Sequence, residues 1–170
     1  MKKILLIGYG KFGKILFEKL QSLEEIKITL ATRDHQEKLA GNDWAVIATP
    51  VDTHAEIARN CLQAGLNVFA EKPLSEDSAE AEKIIKLAEE KNKKIYIDDV
   101  FRYRKEFFEL KSVKPIHSID FIFRKYGTFR DTLFAAHVYH YLYLLVDLLG
   151  FGKVENVAIT KNFPTRRASI

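Results

Sequence analysis

A chain of 170 residues, 47% hydrophobic and 29% charged, can bury a sizeable core and falls in the range of one large or two small domains. Its net charge of +4 comes from basic residues scattered along the chain, with no basic stripe interleaved with aromatics, which argues against a nucleic-acid partner. The single cysteine, Cys61, leaves no internal disulfide and points to a reducing cytoplasm, and no run approaches the roughly 18 apolar residues of a membrane helix.

The opening "MKKILLIGYG" looks at first like a signal peptide, but its apolar run breaks at Gly8, Lys11 follows, and no small-residue cleavage site comes after. It reads instead as a strand, "KKILLIG", followed by a helical pattern to about Leu20. Further β-rich runs follow in order: "IKITLAT", "WAVIAT", "LNVFAE" and "KKIYIDD". Helical period separates them. Residues 52–63 set His54, Ile57, Ala58, Cys61 and Leu62 on one face, and residues 76–91 do the same with Ala81, Ile84, Ile85 and Ala88. Gly65 stands where a helix end favours positive φ, and Ser75 where a helix start wants an acceptor side chain. Strand and helix in repetition imply an α/β fold, a doubly wound parallel sheet of Rossmann type over residues 1–100.

After residue 100 the rhythm changes. "KPIHSIDFIFRKYG" alternates like a half-exposed strand, "DTLFAAHVYHYLYLLVDLLG" carries Phe134, Val138, Tyr141, Leu145 and Leu148 at helical spacing, and "KVENVAIT" reads as a last strand. Residues 101–170 are therefore expected to form a small, truncated α+β region for substrate binding or oligomerisation. The tail holds Arg166-Arg167-Ala168-Ser169, which resembles a basophilic kinase site, a match so short that chance supplies it often.

The first strand-to-helix turn carries G-x-G-x-x-G. Gly8 would make the tight turn, Gly10 would let backbone amides approach a pyrophosphate, and Gly13 would let the helix pack on the strand. Lys11 and Phe12, between the last two glycines, belong to the same cradle, and the helix N-terminus adds partial positive charge. At the end of the second strand, where NAD-binding sheets place an acid for the ribose hydroxyls, Thr32 and Arg33 stand instead. A hydroxyl and a guanidinium suit a 2′-phosphate, so NADP is favoured over NAD; Asp34 would serve the ribose if the strand ended two residues later.

"IATPVDTHAEIARNCLQAGLNVFAEKPLS" resembles the core signature of the Gfo/Idh/MocA oxidoreductases, relatives of glucose-fructose oxidoreductase and inositol dehydrogenase. The likeness covers roughly residues 1 to 103, including "VFRYR", which is similar to the Arg-Phe segment of that family. It implies hydride transfer between a nicotinamide and a sugar, sugar-nucleotide or polyol. On the same footing it implies that Lys72 lies beside the nicotinamide and the substrate oxygen, where an ammonium stabilises alkoxide charge, and that Glu71 orients it or the cofactor while Pro73 fixes the turn. Thr49, Pro50 and His54 would line the cofactor side.

Active members carry an Asp and, four residues later, a His on a helix of the second domain. Aligning the helix end at Gly150 puts His140 on that histidine and Ala136 on the aspartate. Asp131 and Asp147 lie roughly 13 and 10 Å from His140 along a helix axis, too far to substitute simply, and Tyr143 takes the place of a further Asp that many members carry. Members of the family it resembles are about twice this length, with an open sheet absent here, so a shortened relative or a chain paired with another subunit is expected, and the partner expected is a further copy in a homo-oligomer. Three readings stand: an NADP-dependent oxidoreductase using Lys72 and His140, a dinucleotide-binding accessory or regulatory protein, and a truncated product that kept the Rossmann domain. None requires a metal.

Overall fold

Two-residue alternation along the first strand sends Leu5 and Ile7 to one face and Ile4 and Leu6 to the other, and all four are buried. A strand of this kind must be covered on both sides, and the chain supplies the cover through its crossovers. In order come β1 (Lys2–Ile7), α1 (Lys11–Gln21), β2 (Ile26–Ala31), β3 (Trp44–Ile47), α2 (Val51–Gln63), β4 (Asn67–Ala70), α3 (Ser78–Glu90) and β5 (Ile95–Ile97). After them follow α4 (Lys105–Lys111) and α5 (Leu133–Leu149). The computed structural model describes residues 1–120 and 133–150, with backbone alone at 133–138.

The five strands form one parallel sheet in the order β2-β1-β3-β4-β5. Leu16, Phe17 and Leu20 of α1 pack with Ile4, Leu6 and Val46 on one face. On the other, Ile57, Ala58, Cys61 and Leu62 of α2 and Ile84 and Ala88 of α3 meet Leu5, Ile7, Ile47 and Val68. Each fully buried Leu or Ile there contributes roughly 1.5–3 kcal/mol by leaving water. The expected α/β architecture is the observed one. Because β2 lies on one side of β1 and β3 on the other, the winding reverses between β1 and β3, and loops at the carboxyl ends of those two strands open a crevice there.

Local details depart from the sequence reading at α3. The helix starts two residues later than expected, with Asp77 as its cap accepting from the Ala79 amide at 2.9 Å. Ser75 instead accepts from the Asp77 amide and donates to Glu80, so it braces the turn before the helix. Ile85, expected on the inner face, is exposed, because a helix advancing 100° per residue carries it past the stripe of Ala81, Ile84 and Ala88.

The chain divides into two units, Met1–Val100 and Phe101–Ile170. Within the second, the buried stripe of α5 passes through Tyr143, Leu144 and Leu148, where the sequence pattern had centred it on Tyr141 and Leu145, and Phe107 of α4 joins it. Asp147 is taken up by Arg102 at 2.8 Å and Lys111 at 3.6 Å, and Lys114 donates to the Leu148 carbonyl at the C-terminal turn of α5. Of the expected strand "KPIHSIDFIFRKYG", residues 114–120 carry no regular secondary structure, and the remainder, with "KVENVAIT" and the tail motif, lies outside the described residues. Among the described residues no helix is long and apolar enough to cross a membrane.

Candidate functional site

The glycine loop departs from β1 at the crevice. Gly8 has φ +99°, a region L side chains rarely enter, and a Cβ there would stand 2.5 Å from the Ala48 carbonyl oxygen and 3.0 Å from Thr49 Cγ2. The loop after β1 and the Thr49–Pro50 segment after β3 are thus in direct contact. Gly13 packs closer still: an added Cβ would lie 2.2 Å from the Gly8 carbonyl oxygen. Gly10, by contrast, has nothing within 4 Å of its Cβ position, so it faces open space.

Gly10 is also the N-cap of α1. It brings no side-chain oxygen, and no acid occupies the first turn, so the amides at this helix end are left for another acceptor. That arrangement fits a phosphate, which would take those amides and the positive end of the helix. Lys11 and Phe12 open α1 and are exposed.

β2 ends at Ala31, so Thr32 and Arg33 are the first residues past it, both exposed. The alternative that needed a later strand end is not met. Asp34 is instead engaged locally at the surface, accepting from the Thr32 amide at 3.1 Å and pairing with Lys38. Its hydrogen bond with Lys38 and that amide hold its carboxyl down at about 2.

His54, expected on the cofactor side, is 2% exposed on the first turn of α2. Its Nδ1 lies 2.8 Å from the Pro73 carbonyl and its Nε2 2.8 Å from the Thr49 carbonyl. With both ring nitrogens spent on backbone oxygens, it sits inside the wall and ties the loop after β3 to the loop after β4.

Glu71, Lys72 and Pro73 follow β4 directly, with the Glu71 amide donating to the Ile47 carbonyl at 3.0 Å and a cis peptide joining Lys72 to Pro73. Burial pushes the Lys72 ammonium below its ordinary range, against the opposing charge of Glu71. Burial also pushes the Glu71 carboxyl up to about 8, aided by a hydrogen bond and like charge from Asp98. The sequence reading had passed over Asp98. The sequence shows only that it ends the run "KKIYIDD"; the pairing of Ala70 with Ile97 is what makes the residues after β4 and β5 neighbours.

This shift has a measurable consequence. Between about 4.5 and 8 the folded chain keeps a proton on Glu71 that the unfolded chain has released, so stability falls as pH rises through that window. Glu71→Gln removes the loss and should melt above the native chain at pH 9, with the gap closing toward pH 5. After discounting for partial solvent access, the gap at pH 9 should be on the order of 1–3 kcal/mol. Parallel melting curves across pH for the two proteins would place the titration elsewhere.

In the second unit, His140 Nδ1 lies 2.9 Å from the Tyr143 hydroxyl and its ring packs edge-on against Phe101 at 4.6 Å. Ala136, where the aspartate was expected, lies one turn earlier on α5. Burial raises the Cys61 thiol to about 12, making it an inert core group. Among the described residues no three metal-ligating side chains come together.

The family model described as "Oxidoreductase family, NAD-binding Rossmann fold", that of Gfo/Idh/MocA, matches residues 17–98. Inositol 2-dehydrogenase of Rhizobium meliloti (strain 1021) is 26% identical over 118 residues, covering 59% of this chain and 36% of that protein. An uncharacterized oxidoreductase of Bacillus subtilis (strain 168) is 49% identical over 53 residues, 31% of this chain and 14% of that one. A solved putative oxidoreductase from Klebsiella pneumoniae superposes with a TM-score of 0.67 at 25% identity, over 88% of this chain and 51% of its own. The chain therefore spans about half or less of the length of the proteins it matches.

Proposed function

We propose, because this chain belongs to the Gfo/Idh/MocA family of oxidoreductases, that it transfers a hydride between NADP and a sugar, sugar-nucleotide or polyol. The observation that carries the reading is Glu71-Lys72-Pro73 at the carboxyl end of β4, on the same sheet edge as the glycine loop and tied by His54 to the segment touching that loop. A protein that only binds a nucleotide has no evident use for a half-buried lysine held there.

The residues fit the cofactor. Gly8, Gly10 and Gly13, with the first amides of α1, would hold the pyrophosphate, and Thr32 and Arg33 a 2′-phosphate. When bound, the nicotinamide supplies the hydride acceptor or donor. Lys72 then stabilises the negative charge that grows on the substrate oxygen, since an ammonium fixed in a partly desolvated site needs little reorganisation to do so. Thr49 and Pro50 form the wall of the crevice, and Glu71 sets the position and charge of Lys72.

A dinucleotide-binding protein without efficient turnover is the second reading. It is favoured by Ala136 at the place of the family's aspartate and by the Tyr143 hydroxyl already on His140.

Titration with NADPH and NADH, followed by Trp44 fluorescence, tests the cofactor assignment. NADPH should bind at least about tenfold more tightly, and Thr32→Asp should reverse the order, because a carboxylate accepts from ribose hydroxyls and repels a 2′-phosphate. No response to either at millimolar concentration removes the dinucleotide reading altogether.

A further inference from the structure

We propose that Asp34 and Lys38 are positioning residues for the 2′-phosphate: joined as an ion pair, their side chains take the place of one residue of a neighbouring strand at the open edge of β2 and so fix the turn that carries Thr32 and Arg33. The inference rests on the dinucleotide reading above and adds two residues to it. Neither touches the phosphate; both act through the backbone at the end of β2.

β2 is the outermost strand on its side of the sheet, and among the described residues no strand pairs with its outer edge. The Ala31 carbonyl accepts from the Gly8 amide at 2.9 Å and the Glu25 carbonyl from the Lys2 amide at 2.7 Å, so the backbone groups of residues 25 and 31 face β1. Along a strand these groups alternate sides, which turns the Leu30 carbonyl and the Thr32 amide to the open edge. A parallel neighbour would meet that pair with a single residue, its N–H donating to the Leu30 carbonyl and its C=O accepting from the Thr32 amide.

Two side chains supply the same donor and acceptor. Lys38 Nζ donates to the Leu30 carbonyl at 3.0 Å, and Asp34 Oδ1 accepts from the Thr32 amide at 3.1 Å. The other carboxylate oxygen of Asp34 pairs with the same ammonium, which closes the unit much as the covalent chain would in a strand. Lys38 is held from behind as well: its carbonyl accepts from the Asn42 side chain at 2.8 Å, and Leu39 packs on the main core. Asp34 stands at the N-cap of the short helical turn His35–Lys38, yet its side chain makes no cap bond there and reaches back to Thr32.

An exposed ion pair by itself contributes little, because holding two side chains in one geometry offsets the attraction. Here each partner is also bonded to the strand backbone, so the pair satisfies two edge groups that would otherwise be left to water and gives the turn one geometry. Thr32 and Arg33 then leave β2 from a fixed point beside the glycine loop, since Ala31 is bonded to the Gly8 amide. A turn ordered in the free chain binds a phosphate more tightly than one ordered on binding. The consequence runs against simple charge. Removing a carboxylate near a phosphate relieves repulsion and should strengthen binding; removing this one should weaken it.

Asp34→Ala in the full chain separates the two effects. Titration followed by Trp44 fluorescence should show NADPH affinity falling about fivefold to tenfold and NADH affinity changing by less than about threefold, because only the 2′-phosphate uses this turn. In the free chain, hydrogen exchange at the Thr32 amide should quicken at least about tenfold, with the melting temperature moved by no more than about 2 °C. Asp34→Asn combined with Lys38→Gln keeps an acceptor for Thr32 and a donor for Leu30 without charge, and should keep the native preference for NADPH within about threefold. Tighter NADPH binding in Asp34→Ala, or a preference lost in the paired amide variant, shows that these charges act on the phosphate directly and overturns the proposal. Unchanged exchange at Thr32, or an equal fall in affinity for both dinucleotides, overturns it too. If the native chain binds NADH as tightly as NADPH, the 2′-phosphate assignment fails and this inference with it, while the dinucleotide reading stands; if it binds neither, all three fail.

Discussion

Gly13→Ala should lower the melting temperature of the first unit by on the order of 10 °C or more and abolish dinucleotide binding. The added methyl would stand 2.2 Å from the Gly8 carbonyl oxygen, a backbone atom that cannot rotate aside. Relief requires moving either α1 or the loop itself. Overpacking of this kind costs typically 1–3 kcal/mol and more where backbone is the obstacle, and for a unit of about 100 residues each kcal/mol is worth roughly 4–8 °C. Gly10→Ala is the matching control. Nothing lies within 4 Å of its Cβ position and its φ of −73° suits alanine, so stability should change by less than about 0.5 kcal/mol. Its affinity for dinucleotide should nevertheless fall at least about tenfold, because the methyl points into the space a pyrophosphate would fill. A Gly10→Ala chain that binds as tightly as the native one would show that this loop is not the phosphate site.

Lys72→Ala should reduce turnover by about 10²- to 10⁴-fold while leaving NADPH affinity within a few-fold. On the proposed reading the lysine acts on the substrate oxygen while the glycine loop and α1 hold the phosphates, so the two functions should separate in one variant. His140→Ala should cost less than the loss of a complete acid–base dyad, since no carboxylate stands one turn before it on α5 and its Nδ1 is already engaged by Tyr143. Ala136→Asp places an acid at that position and should raise turnover if His140 takes part. The measurement is a screen of sugars and polyols with NADP⁺, run on the native chain and the three variants. Absence of turnover in both the native chain and Ala136→Asp decides for the binding-protein reading.

By itself the sequence determined the alternation of strands and helices in the first hundred residues, the turn glycines and the signature around Lys72. These are written locally: two-residue alternation makes a strand, 3.6-residue recurrence a helix, and a sharp turn or close approach a glycine. The sequence also placed Thr32 at the end of β2, because strand length follows from the apolar run. Only the tertiary structure decided what the side chains at the strand ends do. His54 read as a residue facing the cofactor, yet its ring lies buried between two backbone carbonyls, since partners 5 and 19 residues away are set by loop packing and not by helical period. Ser75 gave up the cap to Asp77 because only the folded turn fixes which side chain reaches a bare amide. Asp98 became a partner of Glu71 through parallel pairing of β4 with β5, a juxtaposition of residues 27 apart that strand order creates and local pattern does not encode.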